Sequence, residues 1–160
     1  MIESLLENTK VRDIVGVRDE IWSVDADDTA DVAALNIMKH KIRTLGVLKE
    51  GELVGVVGNN DFARKVVAKG RVPGQVKVSD IMTTNLRTVD LDSLFMECLN
   101  MMEEHHITHL IVLDDDRKYY GMLTWYDLHR RLVKMLREQL DILHEYAFGP
   151  SVQEQADVND

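Results

Sequence analysis

Apolar and polar positions along this chain fall into a pattern that occurs twice. "VRDIV" begins at Val11 and "VSDIM" at Val78; "LNIM" begins at Leu35 and "LNMM" at Leu99. "IRTLGVL" begins at Ile42 and "ITHLIVL" at Ile107; "GVVGNNDFARKVV" begins at Gly55 and "GMLTWYDLHRRLV" at Gly121. Four pairs in one order at nearly one interval mark an internal repeat. Each copy predicts the same elements. A short strand carries Val24 or Val89. A polar cluster, Asp27-Asp28-Thr29 or Asp92-Ser93, then suits the N-terminus of a helix. That helix runs to Met38 or Met102 with apolar residues at helical spacing. Two strands follow, "LGVL" and "LVGVV" in the first copy, "HLIVL" and "YYGMLTW" in the second. Lys49-Glu50-Gly51 and Asp114-Asp115-Asp116 separate them as turns. A second helix begins near Asp61 or Asp127. The predicted class is mixed α/β, in the α+β sense, with the order β-α-β-β-α twice.

Punctuation divides the chain further. "AKGRVPGQ", Ala68 to Gln75, holds Pro73 and two glycines and reads as the boundary between copies. The expected units are residues 1–70, a linker at 71–75, and 76–136. Beyond Asp127, Leu128, Leu132, Met135, Leu136, Leu140 and Leu143 recur at three and four, an amphipathic stripe longer than the repeat requires. This predicts a C-terminal helical extension over 137–148, ended by Gly149-Pro150. The remainder, 149–160, is polar and acidic and is expected to be disordered. "MIESLLENT" at the start reads as a short helix capping the repeat.

Composition narrows the function. The chain has 160 residues, 45% of them hydrophobic, enough for a core. A net charge of −9 argues against general attraction to nucleic acid, though not against a local basic pocket. Cys98 is the single cysteine, so no intrachain disulfide forms, and a reducing, cytoplasmic setting is expected. The N-terminal run lacks a basic leader followed by a long apolar stretch, so no signal peptide is expected. No apolar run reaches the roughly 18–20 residues that span a bilayer.

One segment resembles a metal site. "EEHHITHLIVLDDD", Glu103 to Asp116, packs three histidines and three aspartates together. His105 and His106 fall where a helix ends, however, and His109 falls on the strand after it. The aspartates fall in a turn. A metal-binding pair on one helical face needs a continuous helix from His105 to His109, so no metal is expected. No nucleophile–base set or Gly-rich phosphate loop is present, which argues against an enzyme.

The repeated pattern resembles the cystathionine-β-synthase (CBS) domain, whose tandem pair is called a Bateman module. The resemblance covers about Val11 to Leu136. The second copy matches the family pattern in "VSDIMTTN", "ITHLIVLD" and "GMLTWYD", with Ile111 where proline is usual. The first is more divergent: "VRDIVGVR" has Val15 and Gly16 for Met-Thr, "IRTLGVLK" has Gly46 for proline, and "GVVGNND" has Gly58 for Thr or Ser.

The resemblance implies two pseudo-symmetric repeats whose sheets pack together, with clefts that bind adenosine compounds. One cleft would join Thr124 and Asp127 to Val15, Gly16 and Val17. The other would join Gly58 and Asp61 to Met82, Thr83 and Thr84. Thr108 and His109, with Arg43 and Thr44, would lie beside the phosphates. A carboxylate accepts both hydroxyl protons of a ribose, which suits Asp127. Thr124 offers a hydroxyl to a phosphate, and Gly58 offers backbone N–H and close approach. Arg64, Arg130 and Arg131 add positive charge near the two aspartates. The expected function is a regulatory module sensing AMP, ADP, ATP or S-adenosylmethionine, as a homodimer that signals to a protein target, with no required cofactor. The alternative is a dimeric adaptor with empty clefts.

Overall fold

A computed structural model describes residues 6–16 and 20–149 of the chain. Val17 and the expected tail beyond Gly149 lie outside the described residues, as do residues 1–5.

The two copies fold alike. After helix α1 (Val11–Val15), the first repeat has β1 (Ser23–Asp25), α2 (Ala30–His40), β2 (Thr44–Lys49), β3 (Glu52–Gly58) and α3 (Asn59–Asp61). From α3 the backbone continues through a π-helical turn, Phe62–Val66, and a 3₁₀ turn, Val67–Lys69. The second repeat has β4 (Thr88–Asp90), α4 (Phe95–Glu104), β5 (His109–Leu113), β6 (Tyr119–Thr124) and the 24-residue α5 (Trp125–Phe148). Each repeat forms a three-stranded sheet, β1-β2-β3 and β4-β5-β6, with the first pair parallel and the second antiparallel.

Local chemistry explains the turns. Glu50 and Gly51 both have positive φ, 52° and 84°, the geometry of a two-residue type I′ hairpin. In the second hairpin the Asp114 carboxylate accepts from the N–H groups of Asp116 (3.0 Å) and Lys118 (2.8 Å). The aspartates of the histidine-rich segment therefore build a turn. His106 has φ 50° and Lys41 has φ 53°, the left-handed exits of α4 and α2. The residue after each donates back into its helix, Ile42 N–H to Ile37 O and Ile107 N–H to Met102 O.

The polar clusters before α2 and α4 act differently from the expected caps. Thr29 is the N-cap of α2, but its hydroxyl bonds the Asp31 carboxylate. The N-cap of α4 is Leu94, whose N–H donates to Glu97 at 2.9 Å. Asp28 and Ser93 instead accept from the N–H groups of Asp25 and Asp90, closing the strand-to-helix turn. A side chain one residue short of the cap reaches back to the strand more readily than forward to the helix.

The repeats are interlocked. Val76, Val78 and Ile81 are buried in the core of the first repeat, among Ala33, Leu45 and Val57. Val11 is buried in the core of the second, among Phe95, Cys98 and Leu123. Backbone bonds secure both crossings: Val78 N–H to Asp28 O and Ser79 N–H to Ala26 O on one side, Val11 N–H to Ser93 O and Arg12 N–H to Leu91 O on the other. Burying one such Val or Ile contributes about 1.5–3 kcal/mol. A third cluster, Val56, Ile111, Leu113 and Met122, joins the sheets face to face.

Candidate functional site

Two clefts of about 810 and 760 Å³ lie on the seam between the repeats, each lined from both sides. Their common wall is Arg43, Thr44, Thr108 and His109. These residues lead into β2 and β5, where Thr44 stands opposite Gly58 and His109 opposite Thr124. The Arg43 carbonyl accepts from the N–H of Asn59 (3.3 Å) and the Thr108 carbonyl from that of Trp125 (2.9 Å). The motif dipeptide thus holds the start of its own repeat's second helix and presents its side chains to both clefts.

Asp61 and Asp127 are the third residues of their helices and close them in the same way. Asp61 Oδ2 accepts from Gly58 N–H at 3.0 Å, and Asp127 Oδ2 from Thr124 N–H at 2.9 Å. The Thr124 hydroxyl lies 2.7 Å from Asp127 Oδ2 and accepts from Asp127 N–H at 3.3 Å. The Gly58 N–H and the Thr124 hydroxyl, expected to face a ligand, are both engaged within these caps.

The other carboxylate oxygens differ. Asp61 Oδ1 takes Lys65 Nζ at 2.8 Å and the Thr83 hydroxyl at 3.2 Å. Lys65 also donates to the carbonyls of Ile81 (2.6 Å) and Met82 (3.3 Å). Asp61 is therefore clamped to the opening segment of the second repeat. Among the described residues Asp127 Oδ1 has only Arg130, at 3.6 Å. It is open to a diol.

The remaining expected residues are placed as follows. Thr83 lines the Asp61 cleft and bridges to β3 through two backbone bonds with Val56. Met82 packs on the first core, its sulfur against Gly55, and Thr84 is exposed beside the Asp61 cleft without lining it. Val15 packs on the second core, and the Gly16 carbonyl accepts from the Tyr120 hydroxyl at 3.0 Å. Neither lines the Asp127 cleft. Arg64 lines the Asp61 cleft, Arg130 lies 5.6 Å over the Tyr126 ring, and Arg131 lines neither cleft.

Sequence reasoning missed several lining residues. Trp125 and Tyr126 sit inside the "TWYD" motif itself, between the two residues singled out. Trp22 comes from the segment before β1, stacks on His40 at 4.7 Å and donates to Glu20 at 3.1 Å. Lys65, Lys69 and Arg87 complete the Asp61 cleft. Their signal was basic charge flanking the motifs.

Burial holds the His109 imidazole below its ordinary pKa, and the charge of Asp61 opposes that shift. Among the described residues, no group of three or more His, Cys, Asp or Glu side chains is gathered as for a metal ion. None of the described helices is long and apolar enough to cross a membrane.

Residues 11–68 and 78–134 each match the family model of the CBS domain. A mitochondrial CBS domain-containing protein of Arabidopsis thaliana, CBSX3, is 31% identical over 93% of this chain and 77% of its own length. A CBS-domain protein from Burkholderia ambifaria has a solved structure with a TM-score of 0.73, at 30% identity over 79% of this chain and 95% of that one. The CBS domain pair of protein MJ0100, solved in complex with 5′-methylthioadenosine and S-adenosyl-L-methionine, has a TM-score of 0.69 at 28% identity, over 79% of this chain and 97% of that one.

Proposed function

The chain belongs to the CBS-domain family, and we propose that it is a regulatory module binding an adenosyl compound in its inter-repeat clefts. The observation carrying this is Asp127 Oδ1, held by no hydrogen bond among the described residues and only 3.6 Å from Arg130, in a cleft lined by Trp22, Tyr119, Trp125 and Tyr126. The carboxylate accepts the ribose hydroxyls, and the aromatic faces take the base. The adenosyl ligands of the MJ0100 domain pair support the same chemistry. AMP, ADP, ATP and S-adenosylmethionine are the candidate ligands, and the role is non-catalytic.

Both clefts are bounded by both repeats, so a bound ligand favours one relative arrangement of the sheets over another. It shifts that equilibrium only by its differential affinity for the two arrangements. A homodimer in the cytoplasm passing the change to a protein target completes the proposal. A second reading, a dimeric adaptor with empty clefts, is favoured by one observation: Leu140, Leu143, Tyr146 and Phe148 are exposed on α5.

Thermal-shift measurement with the four ligands separates the readings. A ligand at one hundred times its Kd stabilises by about 2.7 kcal/mol. A rise in Tm that disappears in Asp127→Ala supports the sensor. A chain unresponsive to all four supports the adaptor.

A further inference from the structure

We propose that the two clefts sort their ligands by charge: the Asp61 cleft takes a polyphosphate-bearing adenosyl compound, and the Asp127 cleft takes an uncharged or cationic one. This rests on the adenosyl reading and goes beyond it by assigning a ligand class to each cleft.

The Asp61 cleft gathers Arg43, Arg64, Lys65, Lys69 and Arg87 around the single carboxylate of Asp61. Lys65 is held by Asp61. Among the described residues, Arg43, Arg64, Lys69 and Arg87 form no ion pair. The chain has 28 acidic residues against 19 basic ones, so carboxylates are plentiful. Several basic side chains elsewhere have them: Lys10 and Arg12 share Asp92, Lys77 has Asp27, and Arg117 has Asp90. Four unpaired cations on one cavity repel each other unless an anion joins them, and phosphate oxygens match their donors. Asp61 offers a ribose less than Asp127 does, because Lys65 and the Thr83 hydroxyl share its Oδ1 and the Gly58 N–H holds its Oδ2. Phosphates are therefore the groups this cleft is best equipped to hold.

The Asp127 cleft has the opposite character. Its lining sets two carboxylates, Glu20 and Asp127, beside two cations, Lys41 and Arg43. Four aromatic side chains line it, and Trp22, Trp125 and Tyr126 are 36%, 44% and 68% exposed, with ring surface available to a ligand. Such faces stack on a base and attract a cation such as a sulfonium. A polyphosphate would gain little here and would meet two carboxylates.

Isothermal titration of the full chain with AMP, ADP, ATP, S-adenosylmethionine and inorganic tripolyphosphate tests this, alongside the double variant Arg64→Ala/Lys69→Ala. Both side chains are exposed, so the variant keeps its fold. Affinity is expected to rise about ten-fold with each added phosphate, one hydrogen bond to a charged group at a time. Tripolyphosphate should compete with ATP and leave S-adenosylmethionine undisturbed. The double variant should flatten the phosphate ladder and keep the affinity for S-adenosylmethionine. A flat ladder in the wild type, a ladder that survives the double variant, or displacement of S-adenosylmethionine by tripolyphosphate overturns the sorting and leaves the adenosyl reading intact. Tripolyphosphate binding that the double variant abolishes, with no adenosyl compound bound, overturns the adenosyl reading and the assignment of the Asp127 cleft, and upholds the polyanion preference of the Asp61 cleft.

Discussion

The ring of Tyr119 lies against the bare α-carbon of Gly46: a Cβ on Gly46 would fall 2.6 Å from ring carbons Cε1 and Cζ. The repeats exchange bulk here. Ile111 occupies on β5 the place that Gly46 has on β2, and Leu53 occupies on β3 the place that Tyr119 has on β6. The absent side chain of Gly46 leaves the room that the Tyr119 ring of the other repeat fills. Gly46→Val should therefore destabilise the chain by about 1–3 kcal/mol through overpacking. Tyr119→Leu in the same chain should recover much of that loss. Chemical denaturation of both single variants and the double variant measures the coupling, and strictly additive losses would rule out the contact.

The unequal surroundings of the two motif aspartates predict unequal phenotypes. Asp127→Ala frees a helix cap and removes the open Oδ1, so adenosyl affinity at its cleft should fall roughly ten- to a hundred-fold, the size of one hydrogen bond to a charged group. Asp61→Ala releases Lys65 and Thr83, which tie α3 to the opening segment of the second repeat. Its larger effect should be on stability, with Tm falling below that of Asp127→Ala. Titration and melting of both variants measure this. The reverse pattern, tight binding lost in Asp61→Ala and kept in Asp127→Ala, would exchange the two assignments.

The architecture could be read from the sequence because each element carries its own local signal. Short apolar runs mark β2, β3, β5 and β6, helical spacing marks α2 and α4, and Lys49-Glu50-Gly51 and Asp114-Asp115-Asp116 carry the turn residues. The two motif aspartates and the shared dipeptides were legible as recurring pairs. What could not be read depends on which residues meet in space. The crossing of Val11 and Val78 into opposite cores leaves no local mark, since a buried valine looks the same in either. The Lys65–Asp61 clamp is an ordinary i,i+4 pair in sequence. Its reach to the Ile81 and Met82 carbonyls appears only once the repeats are packed. The aromatic wall combines Trp22 with Trp125 and Tyr126, which are about a hundred residues apart.

The C-terminal half of α5 should carry self-association. Leu128 and Met135 are buried, whereas Leu140, Leu143, Tyr146 and Phe148 are 58–89% exposed on a helix that continues past the body of the repeat. Light scattering of the full chain should give a dimer that Leu140→Glu/Leu143→Glu reduces to a monomer, with the Tm lowered. A dimer of unchanged stability in that variant, and in a chain ending at Arg137, would place association on another face.

His109 should make both stability and binding depend on pH. Burial lowers its pKa below the ordinary 6.5, and the nearby Asp61 charge opposes this more weakly. Between the lowered folded value and about 6.5, the unfolded chain holds a proton that the folded chain does not. The stabilising contribution is therefore present above about pH 6.5 and is lost as pH falls through the folded value. Denaturation of the wild type and His109→Gln from pH 5 to 8 should show the two diverging on the acid side, with the variant flatter. A phosphate in the Asp61 cleft reverses the local balance by favouring the imidazolium, so ATP binding near pH 6.5 should take up a proton. Titration in two buffers of different ionisation enthalpy reads that uptake directly. It should vanish in His109→Gln, and equal proton uptake by wild type and variant would assign the titration to another group.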